Sequence, residues 1–168
     1  AIQELMAMNA WDYESEKTPT PNFDSHALIH ALEGAAFYTH PANNTLFAAE
    51  LPFDTVAGPT YDGIDVLTGG TNPRAQQLWF MLLNHGYRMP GAASTDAAFN
   101  NPGGAVPGRA RVYTRLEGEL TLAAVAKAMK AGRNFATNGP LLVFEIGKYQ
   151  TGDVIRVNRP VSLKARVR

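Results

Sequence analysis

Segments with strand-like and helix-like patterns alternate along the chain between residues 24 and 137, and this alternation restricts the fold more than any other feature. Short apolar runs rich in β-forming residues are separated by longer stretches with helical periodicity, and a glycine follows each of these stretches. Strand–helix units of this kind build a mostly parallel sheet with helices packed on it. We therefore predict an α/β fold with a largely parallel sheet or barrel over this part of the chain.

Capping residues and chain breakers set the predicted boundaries of these segments. The three predicted helices begin at Asp24-Ser25, Pro73 and Thr121 and end at about Glu33, before Gly86 and before Gly132. The five predicted strands are 35–39, 61–67, 88–93, 111–114 and 134–137. Residues 2–11 are compatible with a further helix, and the polar segments 12–24 and 41–60 are predicted loops.

After residue 140 the pattern changes to β structure without helices. The predicted strands here are 141–146, 154–157 and 161–167, and the last alternates apolar and polar residues. We therefore predict one α/β unit over residues 1–140 and the start of a separate β-rich element over residues 141–168. Because the chain starts at Ala1 without a methionine and the last strand has no following partner, we expect a piece of a longer protein.

The composition excludes several classes of protein. The length of 168 residues corresponds to about one domain. The absence of cysteine excludes disulfides, thiolate metal sites and a cysteine nucleophile. No apolar run reaches the roughly 18 residues of a membrane span, and no N-terminal segment has the pattern of a signal peptide. We expect a soluble protein without a membrane partner, and the sequence leaves its compartment open.

Charge is unevenly distributed, although the net charge is zero. Residues 1–100 carry 3 basic and 11 acidic side chains, whereas residues 101–168 carry 12 basic and 4 acidic ones, so the two parts have net charges of −8 and +8. The basic side chains are scattered among apolar residues, and no basic block of the nucleic-acid-binding type is present. We therefore predict that the two parts face each other or a partner subunit, and that the chain does not bind nucleic acid.

Candidate metal-binding or acid–base residues lie in or directly after three predicted strands. These residues are His40, Asp65 and Asp96, and parallel α/β folds collect reactive side chains at the carboxyl ends of their strands. Imidazole and carboxylate groups are ligands for Zn, Mn or Fe. Structural roles stay open: a turn at His40, an Asx turn at Asp96 and a solvent-facing edge position for Asp65. Asp62 is predicted to belong to an Asp-Gly turn.

Other polar residues have weaker functional patterns. His26 and His30 are four residues apart on the first predicted helix, but the glutamate of a zinc-protease motif is missing, so a packed helix face is predicted. His85 is expected to interact with the carboxyl end of a helix. Arginines could bind an anionic substrate through paired hydrogen bonds or could be ordinary surface residues. These arginines are Arg88, Arg109, Arg111 and Arg133.

An ordered set of short segments resembles the C-terminal half of the PHP-domain metallohydrolases (polymerase and histidinol phosphatase domain), in the CehA/McbA-like branch. The resemblance covers residues 24–146. The segments that carry it are Phe37-Tyr-Thr-His-Pro41, Tyr61-Asp-Gly-Ile-Asp-Val66, Trp79-Phe-Met-Leu-Leu-Asn84 with Gly86-Tyr-Arg88, Ser94-Thr-Asp96, Gly108-Arg-Ala-Arg-Val-Tyr113 and Gly132-Arg-Asn-Phe-Ala-Thr-Asn-Gly-Pro140.

The resemblance implies a distorted (β/α)7 barrel with two or three metal ions held by His, Asp and Glu. It implies that His40 and Asp96 are metal ligands, from the third and fourth motifs of the family. The first motif, His-x-His, and the second histidine motif are absent from these 168 residues, and Ala98 stands where the family often has a histidine. Residues 1–140 would then be part of such a barrel, and residues 141–168 the start of a truncated β-sandwich domain.

Two functions stay open from the sequence. The first is a metal-dependent hydrolase that uses metal-activated water on a phosphoester, amide or carbamate-type bond. Asp65 would be a ligand or orient one, and Arg88 or Arg109 would hold a small anionic substrate. With an incomplete metal site, this segment by itself is expected to be inactive.

The second is a catalytically inactive barrel that serves as a binding or assembly module. A partial barrel exposes unpaired strand edges and apolar faces. We therefore expect the chain to self-associate as a homo-oligomer.

Overall fold

The structure, a computed structural model, describes residues 22–41, 61–98, 100–101 and 104–168. Its helices are α1 (Asn22–Ala31), α2 (Pro73–Asn84) and α3 (Leu122–Lys130). Its strands are β1 (Phe37–Tyr38), β2 (Gly63–Thr68), β3 (Gly91–Ser94), β4 (Arg111–Thr114), β5 (Asn134–Thr137), β6 (Leu142–Ile146), β7 (Tyr149–Gln150) and β8 (Lys164–Val167). The helix-compatible residues 2–11 and most of the two predicted loops lie outside the described residues.

Local capping explains the position of two helices, and both predictions are confirmed. The Asn72 side chain accepts a hydrogen bond from the Ala75 amide at 3.2 Å, and Pro73 occupies the first turn of α2. At α3 the Thr121 hydroxyl accepts from the Ala124 amide at 3.1 Å. The prediction for the first helix is wrong at its start, because α1 begins at Asn22, two residues before the predicted cap.

Strands β1, β2 and β3 form a parallel sheet with β2 in the middle. Phe37 pairs with Gly63 on one side of β2, and Asp65 pairs with Ala92 on the other. Main-chain hydrogen bonding therefore fixes the direction of all three strands, as predicted. The carboxyl ends of β1, β2 and β3 lie at one edge of this sheet, which we call the carboxyl edge.

Strands β4 and β5 form a separate antiparallel pair, although α3 connects them. Arg111 lies opposite Thr137 and Thr114 opposite Asn134. The prediction of parallel order does not extend to this pair, because periodicity locates a strand without fixing the direction of its partner. The Asn134 side chain donates a hydrogen bond to the Gly91 carbonyl at 2.8 Å and so attaches the pair to β3. The strands of the described residues do not close into a barrel, and the barrel stays a prediction.

The hydrophobic core lies around β2. Ile64 is fully buried there, and Val66 and Leu67 are nearly so. Leu82 from α2 packs against this strand, and the Trp79 indole donates to the Met89 carbonyl at 2.8 Å. Burial of these side chains supplies much of the free energy that holds α2 on the parallel sheet.

The C-terminal segment forms a third, antiparallel sheet in the order β7-β6-β8. The predicted strands 141–146 and 161–167 contain β6 and β8, whereas 154–157 contains no strand, so that prediction is wrong. The short strand β7 was not predicted, because a two-residue strand has too few positions to show a period. Apolar side chains of this sheet are largely exposed, including Leu142, Val167 and Phe144.

No helix in the described part of the chain combines the length and apolar character needed to cross a bilayer. This finding agrees with the absence of a long apolar run in the sequence.

Substitution of Gly63 tests how closely β2 is packed between its neighbours in the parallel sheet. A β carbon at this position would lie 2.5 Å from the Pro90 carbonyl oxygen and still closer to Cε1 of Phe37. We therefore expect Gly63→Ala to lower the free energy of unfolding by about 1–3 kcal/mol or more in urea denaturation, because overpacking here forces both neighbouring strands to move.

Gly139→Ala is the matched control, because a β carbon at Gly139 would have no neighbour within 4 Å. Equal stability of the two variants would contradict the close packing of β2 between its neighbours.

Candidate functional site

His40 and Asp96 lie just beyond two strands that flank the same central strand. His40 is two residues after β1, and Asp96 is two residues after β3. Because β1, β2 and β3 are parallel, both residues follow the strands at the carboxyl edge. The topology therefore brings together two residues that are 56 positions apart in the sequence.

Both residues have an unusual backbone conformation. His40 has φ of 36° and Asp96 has φ of 54°, in the left-handed region that non-glycine residues rarely adopt. Among the described non-glycine residues, only Glu33, after the end of α1, shares this conformation. Backbone strain of this kind costs about 1–3 kcal/mol per residue and is concentrated at functional sites. The strained pair at the carboxyl edge is therefore a candidate site on local geometry as well as topology.

Asp65 is a buried carboxyl group between these two residues. It lies in β2, with only 4% of its surface exposed, and Ser94 Oγ donates a hydrogen bond to its Oδ2 at 2.5 Å. The edge position considered from the sequence is wrong, because β2 is the middle strand. Burial raises the pKa of the Asp65 carboxyl to about 6, although the hydrogen bond from Ser94 opposes the shift.

His40 and Asp96 both act electrostatically on Asp65. The charge of His40 lowers the pKa of Asp65, and the negative charge of Asp96 raises it. The two candidate ligands are therefore electrostatically coupled to the buried carboxyl of Asp65.

Asp62 and the two helical histidines stabilise a different part of the sheet. The Asp62 carboxylate accepts hydrogen bonds from His30 Nε2 at 2.9 Å and from the Ala36 amide at 2.8 Å, so the predicted Asp-Gly turn is wrong. His26 is buried against the rings of Tyr38 and Tyr61, and burial lowers the pKa of its imidazole. These contacts hold α1 at the amino end of β2, which confirms the packed helix face.

The two arginines proposed to bind substrate lie in different places. Arg88 precedes β3 and therefore lies on the amino side of the sheet, away from His40 and Asp96. A β carbon at Gly70, just after β2, would lie 3.7 Å from Arg109 Nε, so this guanidinium lies at the carboxyl edge. The structure thus brings Arg109 to the candidate site and leaves Arg88 outside it.

The remaining candidates have structural partners. Arg111 donates to the carbonyls of Gly108 and Gly139 at 2.7 and 2.9 Å. Arg133 forms an ion pair with Glu117 at 3.1 Å. The ring of His85 is hydrogen bonded through Nδ1 to the carbonyl of Met81 at 2.8 Å, near the end of α2, as its predicted role requires.

The donor types at the carboxyl edge suit a divalent cation, but their number is small. Imidazole and carboxylate groups are the usual ligands of Zn, Mn and Fe in hydrolases. Within the described residues, however, no group of three or more His, Asp or Glu side chains has an arrangement that could hold a metal ion. His40 and Asp96 would thus provide a partial ligand set.

Sequence reasoning missed the two hydroxyl residues that support this site. Ser94 contacts Asp65, and the Thr95 hydroxyl bonds to the segment around Arg109. The available signal is their position directly before Asp96, which is typical of a turn and carries part of the resemblance but does not indicate contacts with Asp65 or with the segment around Arg109. Thr68, at the end of β2, has a buried hydroxyl without a hydrogen-bond partner among the described residues.

Comparisons with known proteins give no assignment: no family model matches the sequence, and neither a curated protein nor a solved structure is similar to it. The chemistry of the site and the resemblance of the short motifs are therefore the basis for a proposed function.

The raised pKa of Asp65 predicts a pH-dependent stability. The Asp65 carboxyl group binds a proton more tightly in the folded state than in the unfolded state. Its protonation therefore stabilises the fold below about pH 4, and this stabilisation is lost as the pH rises to about 6. In metal-free buffer, we expect Asp65→Asn to match the wild type near pH 4 and to exceed its free energy of unfolding by about 2–3 kcal/mol at pH 7.

Urea denaturation across this pH range measures the difference. Glu119→Gln, which changes an exposed carboxyl group, is the control and should follow the wild type. A constant difference between Asp65→Asn and the wild type would show that Asp65 does not titrate in this way.

Proposed function

We propose that this chain is part of a PHP-type metal-dependent hydrolase in which His40 and Asp96 bind a divalent cation. The observation that carries the proposal is their position at one edge of the parallel sheet, on the two sides of β2. The resemblance of the motifs around both residues to the metal-binding motifs of the PHP family supports the same assignment.

The chemistry of the proposed site follows from its donor groups. A bound Zn, Mn or Fe ion would lower the pKa of water to about 7 and polarise the bond to be cleaved, which would be of the phosphoester, amide or carbamate type. His40 would supply a neutral nitrogen ligand, and Asp96 a charged oxygen ligand. Both positions have the left-handed backbone conformation and lie two residues after their strands.

Asp65 would support this site from the interior of the sheet. The hydrogen bond from Ser94 fixes its carboxyl group, and the charges of both proposed ligands affect the pKa of that group. It would therefore either complete the ligand set or orient a ligand. The buried position keeps its side chain in a single place, as an orienting group requires.

Metal binding is the direct test, because it depends on the two proposed ligands and does not require the substrate to be known. We expect isothermal titration with Mn²⁺ or Zn²⁺ to detect one site in the wild type, and affinity to fall by at least about tenfold in His40→Ala and in Asp96→Asn. His85→Ala is the matched control, since this exposed histidine lies at the end of α2 and should leave affinity unchanged.

Two results would exclude the proposed site. One is the absence of any saturable binding by the folded wild type, with folding checked by circular dichroism. The other is equal affinity of the wild type, His40→Ala and Asp96→Asn, because the bound ion would then lie elsewhere.

An inactive module that assembles with copies of itself is the second candidate function. Within the residues that the structure describes, the small number of grouped metal ligands and the exposed apolar side chains of the C-terminal sheet favour it. Leu142 and Val167 are paired across β6 and β8, so they share one exposed face. Contiguous apolar surface of this type is typical of contact sites.

Light scattering tests the second candidate. We expect an oligomer whose formation does not need metal, and we expect Val167→Lys to shift it toward the monomer because a charge would enter the apolar face. Val106→Lys, at an equally exposed valine elsewhere, is the control. A monodisperse wild-type monomer would contradict self-association.

A further inference from the structure

Arg109 lies with the flat face of its guanidinium toward Gly70. A β carbon at Gly70 would be 3.7 Å from Nε, 3.7 Å from one terminal nitrogen and 3.8 Å from Cζ. A point at nearly equal distances from these three atoms must lie over the plane of the group. The guanidinium therefore lies beside Gly70, directly after the carboxyl end of β2, at an ordinary van der Waals distance from the position of a β carbon there.

The Thr95 hydroxyl fixes the backbone on both sides of Arg109. It accepts a hydrogen bond from the Gly108 amide at 3.0 Å and donates one to the Ala110 carbonyl at 2.8 Å. Thr95 directly precedes Asp96, so the segment that carries the proposed ligand also positions the backbone around Arg109. The Thr95 side chain thus links the segment before Asp96 to the segment around Arg109.

Arg109 differs from the other arginines in this part of the chain. Arg111 and Arg115 donate their guanidinium hydrogens to neighbouring groups, and Arg133 is paired with a carboxylate. The guanidinium of Arg109 has no hydrogen bond or ion pair with any residue that the structure describes, and the residue is exposed. A positioned cation with free donors at a strand-end edge is suited to bind an anion.

We propose that Arg109 binds an oxyanion group of the substrate, a phosphate or a carboxylate, and that Thr95 is the positioning residue that holds Arg109 there. Both groups present two oxygens to a guanidinium in the same planar geometry. The identification of the anion as part of a substrate rests on the proposed function, whereas the anion site itself does not.

Binding of simple anions tests the proposal on the chain as it is. Inorganic phosphate and acetate are titrated separately, and the ¹H–¹⁵N signals of the arginine Nε–H groups are followed. We expect the Arg109 signal to shift with saturation for at least one anion, and Arg109→Gln to weaken that binding by about tenfold or more. The anion that binds more tightly identifies phosphate or carboxylate as the group recognised.

Thr95 is tested with two variants of different chemistry. Thr95→Val keeps the shape of the side chain but removes both hydrogen bonds, and we expect several-fold weaker anion binding. Thr95→Ser keeps the hydroxyl and should restore wild-type affinity, which a purely steric role would not predict. Arg88→Lys, at an exposed arginine on the amino side of the sheet, is the control and should bind like the wild type.

The outcomes separate this proposal from the hydrolase proposal. Anion binding that depends on Arg109 supports the site even if His40→Ala has no effect on metal affinity. Equal anion affinity of the wild type and the folded Arg109→Gln variant overturns it, even if metal binds as proposed. Mn²⁺ affinity should be unchanged in Arg109→Gln, since that side chain is not a proposed ligand.

Discussion

Parallel pairing of β2 with both of its neighbours is the interaction on which the structure of the site depends. The ladders on the two sides of β2 force β1 and β3 to run in one direction, so the residues after them lie at one edge. A parallel sheet also places its middle strand in the interior. The same pairing therefore buries Ile64 in the core and encloses the carboxyl group of Asp65.

The burial of the Asp65 carboxyl group has an energetic cost. An apolar residue in the same place would avoid the desolvation that raises the pKa of this carboxyl. The strained backbone at His40 and Asp96 also opposes folding. Three unfavourable features thus lie in or directly after the strands of one parallel sheet, and Arg109 lies beside Gly70 at its carboxyl edge.

Local signals in the sequence predicted local structure well. Pro73 and Thr121 located two helices, and the bounds of β4 and β5 were predicted to the residue. The antiparallel direction of β5 was not predictable, because direction depends on hydrogen bonds between segments distant in sequence.

The distinction between local structure and contacts of distant segments also applies to the candidate site. His40 and Asp96 could be identified as candidates because they follow predicted strands. Arg88 and Arg109 could be identified as candidate anion-binding residues from their side-chain chemistry. The choice between these two arginines required the three-dimensional position of Gly70. The burial of Asp65 likewise follows from the order of the strands, which the sequence does not encode locally.

Paramagnetic broadening by Mn²⁺ is the most direct measurement of the central claim, that one cation can bind the ends of β1 and β3 together. We expect substoichiometric Mn²⁺ to broaden the backbone amide signals of His40 and Asp96 in parallel, while the signals of β8 stay sharp. Broadening at only one of the two strand ends, or a centre of broadening elsewhere in the chain, would contradict it.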